Sequence, residues 1–241
     1  MPNSRTPRII GRVVKILFTL VIFTVCAILI FRVCLSGDPK TVDTVIVNEA
    51  LANAYEKHGD DLILRYQNQD TITQEEHNSG YFSVTQYVFI PEAQQVQLVF
   101  RYNNSTLEKV AKDKKLDKVP DKKADLFDVT LVVVTDLTPE DKKDNEKGEN
   151  LERVRVLASD FVKDHTSKRL YTYYRFVFDG VTLPKNAVAV YAEIYYKAEI
   201  NGYEGEPYGS LCLYDTEHKW FEEKLSRADK KAIEAWIEEH K

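Results

Sequence analysis

The pattern of hydrophobic and polar positions begins with a long uncharged run. Residues Ile16–Phe31 contain no charge, proline or glycine. Apolar residues continue beyond Lys15 and Arg32, whose charges can reach the headgroups, so the usable span is Val13–Leu35. At 1.5 Å per residue a helix of that length reaches roughly 34 Å, enough for a hydrocarbon core of about 30 Å. The pattern therefore predicts a transmembrane helix, because a helix satisfies its own backbone in lipid.

The charges that flank this run predict its orientation. Only basic charges precede the run, whereas acidic residues follow it from Asp38 onward. Because excess Lys and Arg stays in the cytoplasm, we expect residues 1–12 to be cytoplasmic and the C-terminal part to be extracytoplasmic. A cleaved signal peptide is the alternative, with Cys34 and Ser36 as the small residues before a cut. Arg32 separates the run from that cut, which favours a retained signal anchor in the cell membrane.

A juxtamembrane helix and a loop are predicted over residues 36–80. Asp38-Pro39 breaks the membrane helix, and apolar residues recur from Thr41 at three- and four-residue spacing. His58-Gly59 is typical of a helix end. The apolar face of this helix is modest, so we expect it to pack on the following domain. The polar stretch 67–80 is predicted to be a loop.

From Tyr81 the hydrophobic period changes from about 3.6 residues to 2, which predicts β-strands. The seven predicted strands are centred on Phe82–Ile90, Val96–Tyr102, Phe127–Val134, Val154–Ala158, Leu170–Phe178, Val188–Tyr196 and Leu211–Leu213. The first two form a hairpin through Pro91–Gln94, and the third is apolar on both faces, so it should be central. Short strands separated by turns predict a mainly β fold over 81–215, a seven-stranded antiparallel β-sandwich of immunoglobulin-like architecture.

Two helices accompany the predicted strands. Ser105–Glu108 matches a capping box and predicts a short helix to about Asp113. Ser226–Asp229 matches a second capping box and opens a terminal helix whose apolar stripe includes Trp236. Residues 216–241 are therefore predicted to be a C-terminal helical segment.

Charge and cysteine content narrow the classes of function. The net charge of -5 argues against nucleic acid as a partner, because phosphate binding needs a concentrated basic surface. Cys26 lies in the apolar span, Cys34 lies at its edge, and Cys212 alone belongs to the exported domain. That domain cannot form an internal disulfide and must rely on its hydrophobic core.

No catalytic, cofactor-binding or metal-binding motif is visible in the sequence. The five histidines are scattered, and neither a nucleophile elbow nor a glycine-rich phosphate loop is present. The acidic residues of 141–150 fail the spacing of a calcium loop, and lysines lie among them. Glu75-Glu76-His77 fits a solvated loop. We therefore predict no cofactor and no enzyme, although distant residues that assemble into a Ser/His/Asp triad are an open alternative.

One candidate binding surface is predicted on the fifth and sixth strands. Its residues alternate with the core positions and are Tyr171, Tyr173, Arg175, Tyr191, Glu193 and Tyr195. If the two strands pair as a hairpin, these side chains share one face, and tyrosine and arginine are enriched in binding hot spots. The alternatives are that tyrosine simply favours strands, or that the terminal helix covers this face.

These patterns together predict a single-pass, membrane-anchored binding or structural module. Its expected partners, besides the membrane, are a protein, a peptide or a cell-wall polymer. The alternative function is an exported hydrolase whose site is not recognisable from the sequence.

Overall fold

A computed structural model describes residues 6–36, 44–66, 81–136, 151–159, 164–199, 203, 205–216 and 219–241. The chain divides into two compact units, Met1–Asp38 and Pro39–Lys241. The predicted loop 67–80, with its Glu75-Glu76-His77 triplet, and the acidic stretch 141–150 lie outside the described residues.

The secondary structure is mainly β. The helices and strands in chain order are α1 (Thr6–Ser36), α2 (Glu49–His58), β1 (Ile63–Tyr66), β2 (Phe82–Ile90), β3 (Gln95–Asn103), α3 (Thr106–Asp113), β4 (Phe127–Asp136), β5 (Leu151–Leu157), β6 (Asp164–Ser167), β7 (Tyr171–Asp179), β8 (Ala187–Tyr196), β9 (Gly209–Asp215), β10 (Phe221–Lys224) and α4 (Arg227–Glu239). Short 3-10 turns follow α2, β2 and β8.

The helix α1 contains the predicted apolar run. Its segment Val14–Phe31 is long and apolar enough to cross a membrane, and every side chain in it is exposed. The hydroxyls of Thr19 and Thr24 donate to the carbonyls four residues before them, at 2.9 and 2.8 Å, so neither is left unsatisfied. The helix has the properties of a membrane anchor or of a signal sequence.

Two antiparallel sheets form the sandwich. One sheet has the strand order β10-β1-β2-β3-β7-β6, and the other has the order β5-β4-β8-β9. The main core lies where their inner faces meet and is rich in aromatic rings: the ring centroid of Phe82 lies 5.1 Å from that of Phe127 and 5.7 Å from that of Phe100. The two-residue alternation of the sequence predicts these inner faces because successive strand side chains point to opposite sides.

The prediction of a mainly β sandwich with an N-terminal apolar helix and a C-terminal helix is confirmed. The strand count differs, since the described residues form ten strands rather than seven. The additional strands β1, β6 and β10 are four residues each, too short to show a period. The strand β4 lies between β5 and β8, and Val132 and Val134 on its outer face are buried, as a two-sided strand requires.

The helix predicted from Thr41 begins later, because Asn48 is the N-cap of α2 and residues 45–48 lack helical structure. The backbone N–H of Ile46 donates to Gln97 Oε1, and Gln97 Nε2 donates to the Ile46 carbonyl, both at 2.7 Å. The side-chain amide thus pairs with the main chain much as a neighbouring strand would. The apolar residues of this segment therefore belong to an extended chain and do not form the first turn of a helix. Gly59 ends α2, as predicted, with a φ of 55°.

A second apolar cluster joins α2 and α4 to the six-stranded sheet. Its fully buried members are Leu51, Leu62, Ile90 and Ile233. The predicted capping box of α4 is confirmed, and the Asp229 carboxylate also accepts the backbone N–H of Val45 at 3.0 Å. The other predicted capping box is wrong: α3 extends to Asp113 as expected, but the Ser105 side chain makes no capping bond.

Candidate functional site

The six residues of the predicted tyrosine surface lie on two different sheets. The strand β7, with Tyr171, Tyr173 and Arg175, lies between β3 and β6, whereas β8 lies between β4 and β9. The condition for a shared face, that these two strands pair as a hairpin, is therefore not met. Both strands contribute inner-face residues to the same core, so their outward residues lie on opposite sides of the sandwich.

The β7 residues of this set are mostly buried or bonded to other residues of the domain. Tyr173 is only 1% exposed, and the Arg101 guanidinium lies 4.5 Å from the centroid of the Tyr171 ring. Arg175 donates from Nη2 to the Thr44 carbonyl at 3.0 Å, which holds the segment before α2 against the sheet. Burial lowers the pKa of Arg175, while the nearby Asp164 carboxylate opposes that shift. The terminal helix does not cover this half, because α4 packs against α2 and the β1–β2 region.

The β8 half belongs to a hydrogen-bonded group that we call the Arg155 cluster: Asp128, Arg155, Glu193, Tyr195 and Tyr203. The Tyr195 hydroxyl donates to Glu193 Oε2 at 2.7 Å, and Arg155 Nη2 donates to the same oxygen at 3.0 Å. Arg155 Nη1 donates to the Tyr203 carbonyl at 2.8 Å, and the Tyr203 hydroxyl donates to Asp128 Oδ2 at 2.8 Å. These hydrogen bonds join β4, β5 and β8.

The environment of Tyr195 keeps its hydroxyl protonated. Burial, followed by the hydrogen bond and the negative charge of Glu193, raises the pKa of Tyr195 to about 12. The neighbouring Tyr191 is half-buried and packs against Val132 and Val134. The Tyr195 hydroxyl therefore stays protonated at neutral pH, donating to Glu193 and accepting from Arg155 Nη2 at 3.3 Å, and these bonds stabilise the sheet.

A groove with exposed polar groups lies where α2, α4 and the end of β7 come together. Its volume is about 690 Å³. We call it the Trp236 groove, and the residues that define it are Asn48, Glu49, Asn53, Asp179, Trp236 and His240. Trp236 is half-buried, and the His240 ring stacks face to face on it with centroids 3.9 Å apart, so the two rings form one aromatic stack beside the groove.

The floor of the Trp236 groove is held by a chain of amide and carboxylate groups. Asn48 Oδ1 accepts the backbone N–H of Leu51, and Asn48 Nδ2 donates to both oxygens of Asp179 at 3.1 and 2.9 Å. Gln95, which is fully buried, donates from Nε2 to Asn48 Oδ1 and to Asp179 Oδ1, each at 2.8 Å. Because these groups are hydrogen-bonded to one another, the network positions the side chains of Asn48 and Asp179 beside the groove.

The chemistry of the Trp236 groove suits a polar ligand that has a flat apolar face. Trp236 offers apolar area together with an N–H donor. Glu49 and Asn53, which are exposed on the first turns of α2, offer a carboxylate acceptor and an amide that both donates and accepts. Among the described residues, no group of three or more His, Cys, Asp or Glu side chains is arranged to hold a metal ion.

No protein family model, curated protein or solved structure matches the chain.

The sequence prediction placed Trp236 on an apolar stripe and did not include the other residues of the groove. Asn48-Glu49 is typical of an N-cap followed by an acidic first turn. The predicted helix begins at Thr41, so it places these two residues inside the helix and the N-cap is not recognised. Arg155 was missed for another reason: its partners Glu193 and Tyr203 lie far away in the sequence, and only the β4–β8 and β4–β5 pairings bring them together.

Proposed function

We propose that this protein is a single-pass membrane-anchored module whose extracytoplasmic β-sandwich domain binds a ligand in the Trp236 groove. The apolar run of α1 supports the anchor, and the basic residues before it support a cytoplasmic N-terminus.

The observation that carries this proposal is the contrast between two sets of polar residues on the sandwich, the Arg155 cluster and the Trp236 groove. In the Arg155 cluster, hydrogen bonds of Glu193, Tyr195 and Tyr203 run to other members of the cluster and lie on the sheet surface. The Trp236 groove, by contrast, is lined by an aromatic stack and by exposed polar side chains, next to a hydrogen-bonded network of Asn48, Gln95 and Asp179. Binding sites commonly combine apolar lining with a few fixed polar groups.

Among the expected partner classes, the groove favours a cell-wall polymer of sugar units. A sugar ring presents C–H groups on its faces and hydroxyls at its edge, so its face can lie on an aromatic ring while its hydroxyls bond to amides and carboxylates. The stacked rings of Trp236 and His240 and the exposed Glu49 and Asn53 line the same groove and offer these two kinds of contact.

Binding of cell-wall polysaccharide fragments to the full chain in lipid nanodiscs tests this proposal. Trp236→Ala should weaken binding about tenfold or more, because aromatic anchors carry a large share of binding energy. Lys231→Ala is the matched control, since Lys231 is exposed on the same helix and does not line the groove. Calorimetric titration measures both affinities, and thermal melting shows that the variants remain folded. Equal affinities of wild type and Trp236→Ala would contradict the proposal.

A further inference from the structure

The strand β5 forms one edge of the four-stranded sheet, and among the described strands it pairs with β4 alone. Its seven residues contain neither proline nor glycine. Leu151, Val154 and Leu157 are 42%, 46% and 55% exposed. An edge of this kind presents backbone N–H and C=O groups that can pair with a further strand.

The side chains of β5 give this edge a charge pattern. Arg153 and Arg155 lie opposite Val134 and Val132 of β4 and therefore point to the outer face of the sheet. Val154 and Val156 lie opposite the core residues of β4 and point to the inner side, together with Glu152. A strand added here would meet the exposed Arg153 and the Glu193-paired Arg155 on the outer face, between Leu151 and Leu157, and two valines with one glutamate on the inner side.

This pattern disfavours a second copy of the chain as the added strand. An antiparallel copy centred on Arg153, Val154 or Arg155 would place an arginine opposite an arginine on the same face. Like charges directly opposite each other destabilise a strand pair. The complementary strand carries carboxylates opposite the two arginines, a base opposite Glu152, and apolar residues at the other positions.

We propose that the β5 edge docks an extended acidic segment of a partner protein by strand addition. The segment runs antiparallel to β5, as all pairs in this sheet do, so that main-chain hydrogen bonds supply affinity and the alternating side chains supply specificity. The internal bonds of Arg155 to Glu193 and Tyr203 keep its side chain on the outer face of the edge. This interaction surface is distinct from the Trp236 groove and does not depend on it.

Fluorescent peptides and the full chain in nanodiscs provide the test. The complementary peptide is Val-Val-Glu-Val-Glu-Lys-Val, and the charge-inverted control is Val-Val-Lys-Val-Lys-Glu-Val. Fluorescence anisotropy should show that wild-type protein binds the first peptide at least tenfold more tightly than the second. This comparison needs no variant, so it stands even if a substitution in β5 impairs folding.

Charge reversal at the exposed Arg153 adds a second readout. Arg153→Glu should weaken binding of the complementary peptide about fivefold, and Val-Val-Glu-Val-Lys-Lys-Val, which places lysine opposite the new carboxylate, should recover the loss. Lys231→Glu makes the same change of charge on α4 and should leave all three affinities unchanged. The proposal is overturned by equal affinity of wild type for the first two peptides, or by a dimer of the chain that excludes the peptide.

Discussion

Tyr195 is the clearest case of a single side chain whose titration is tied to the fold. Its hydroxyl donates to Glu193, and its pKa is raised to about 12. A tyrosine whose folded-state pKa exceeds its unfolded value of about 10 stabilises the fold fully below pH 10 and loses this contribution as pH rises toward 12. Stability should therefore fall in that alkaline window.

Tyr195→Phe tests this assignment. Other buried tyrosines also titrate at alkaline pH, so the informative quantity is the difference between the wild-type and variant slopes of unfolding free energy against pH. The variant should be less stable at pH 8 by about 1 kcal/mol, for the lost hydrogen bond, and its slope between pH 10 and 12 should be shallower. Denaturant unfolding at each pH measures both. Identical slopes would mean that Tyr195 does not titrate as its surroundings indicate.

At the residue scale, the sequence predicts which side chains point away from the core, but not which of them contact one another. Tyr191, Glu193 and Tyr195 were correctly placed on the outward side of their strand. Their grouping with Tyr171, Tyr173 and Arg175 was wrong, because an alternating pattern is the same whether two successive strands share a sheet or lie in facing sheets.

At the scale of elements, Gly59 is the position where a glycine decides how a helix ends. Its φ of 55° lies in a region that side chains disfavour, and it directly follows α2. Gly59→Ala should lower the free energy of unfolding by about 1 kcal/mol because of backbone strain alone, since nothing lies within 4 Å of an added Cβ.

Gly205→Ala is the matched control for this change. The space around Gly205 is equally open, and its φ lies outside the left-handed region, so alanine should be tolerated there. Thermal or denaturant unfolding compares the two variants. A loss of stability at Gly205 equal to that at Gly59 would show that backbone conformation is not the cause.

The elements that the sequence predicted well are those with a long, clean period. All seven predicted strands are present, and so is α4 with its capping box. The four-residue strands β1, β6 and β10 were not predicted, because a period cannot be recognised in so few residues. The extended segment before α2 was missed because its fold depends on Gln97, which lies on a distant strand.

At the scale of the whole molecule, we propose that an uncleaved helix anchors a sandwich with a binding groove outside the cell. Alternation and turns predicted the sandwich, and the apolar run predicted α1. The orientation of the chain rests on the flanking charges alone. The Trp236 groove could not be predicted, since it forms only where α2, α4 and the end of β7 meet.

Labelling of introduced cysteines in intact cells tests this claim most directly. Lys231→Cys places a thiol on the exposed face of α4, and Ser4→Cys places one in the predicted cytoplasmic N-terminus; the wild-type chain reports any background from its own cysteines. A membrane-impermeant maleimide should label the first variant in intact cells, and the second only after permeabilisation, on a chain of full-length mass. Labelling of Ser4→Cys in intact cells with Lys231→Cys protected, or loss of the first 36 residues, would contradict the account.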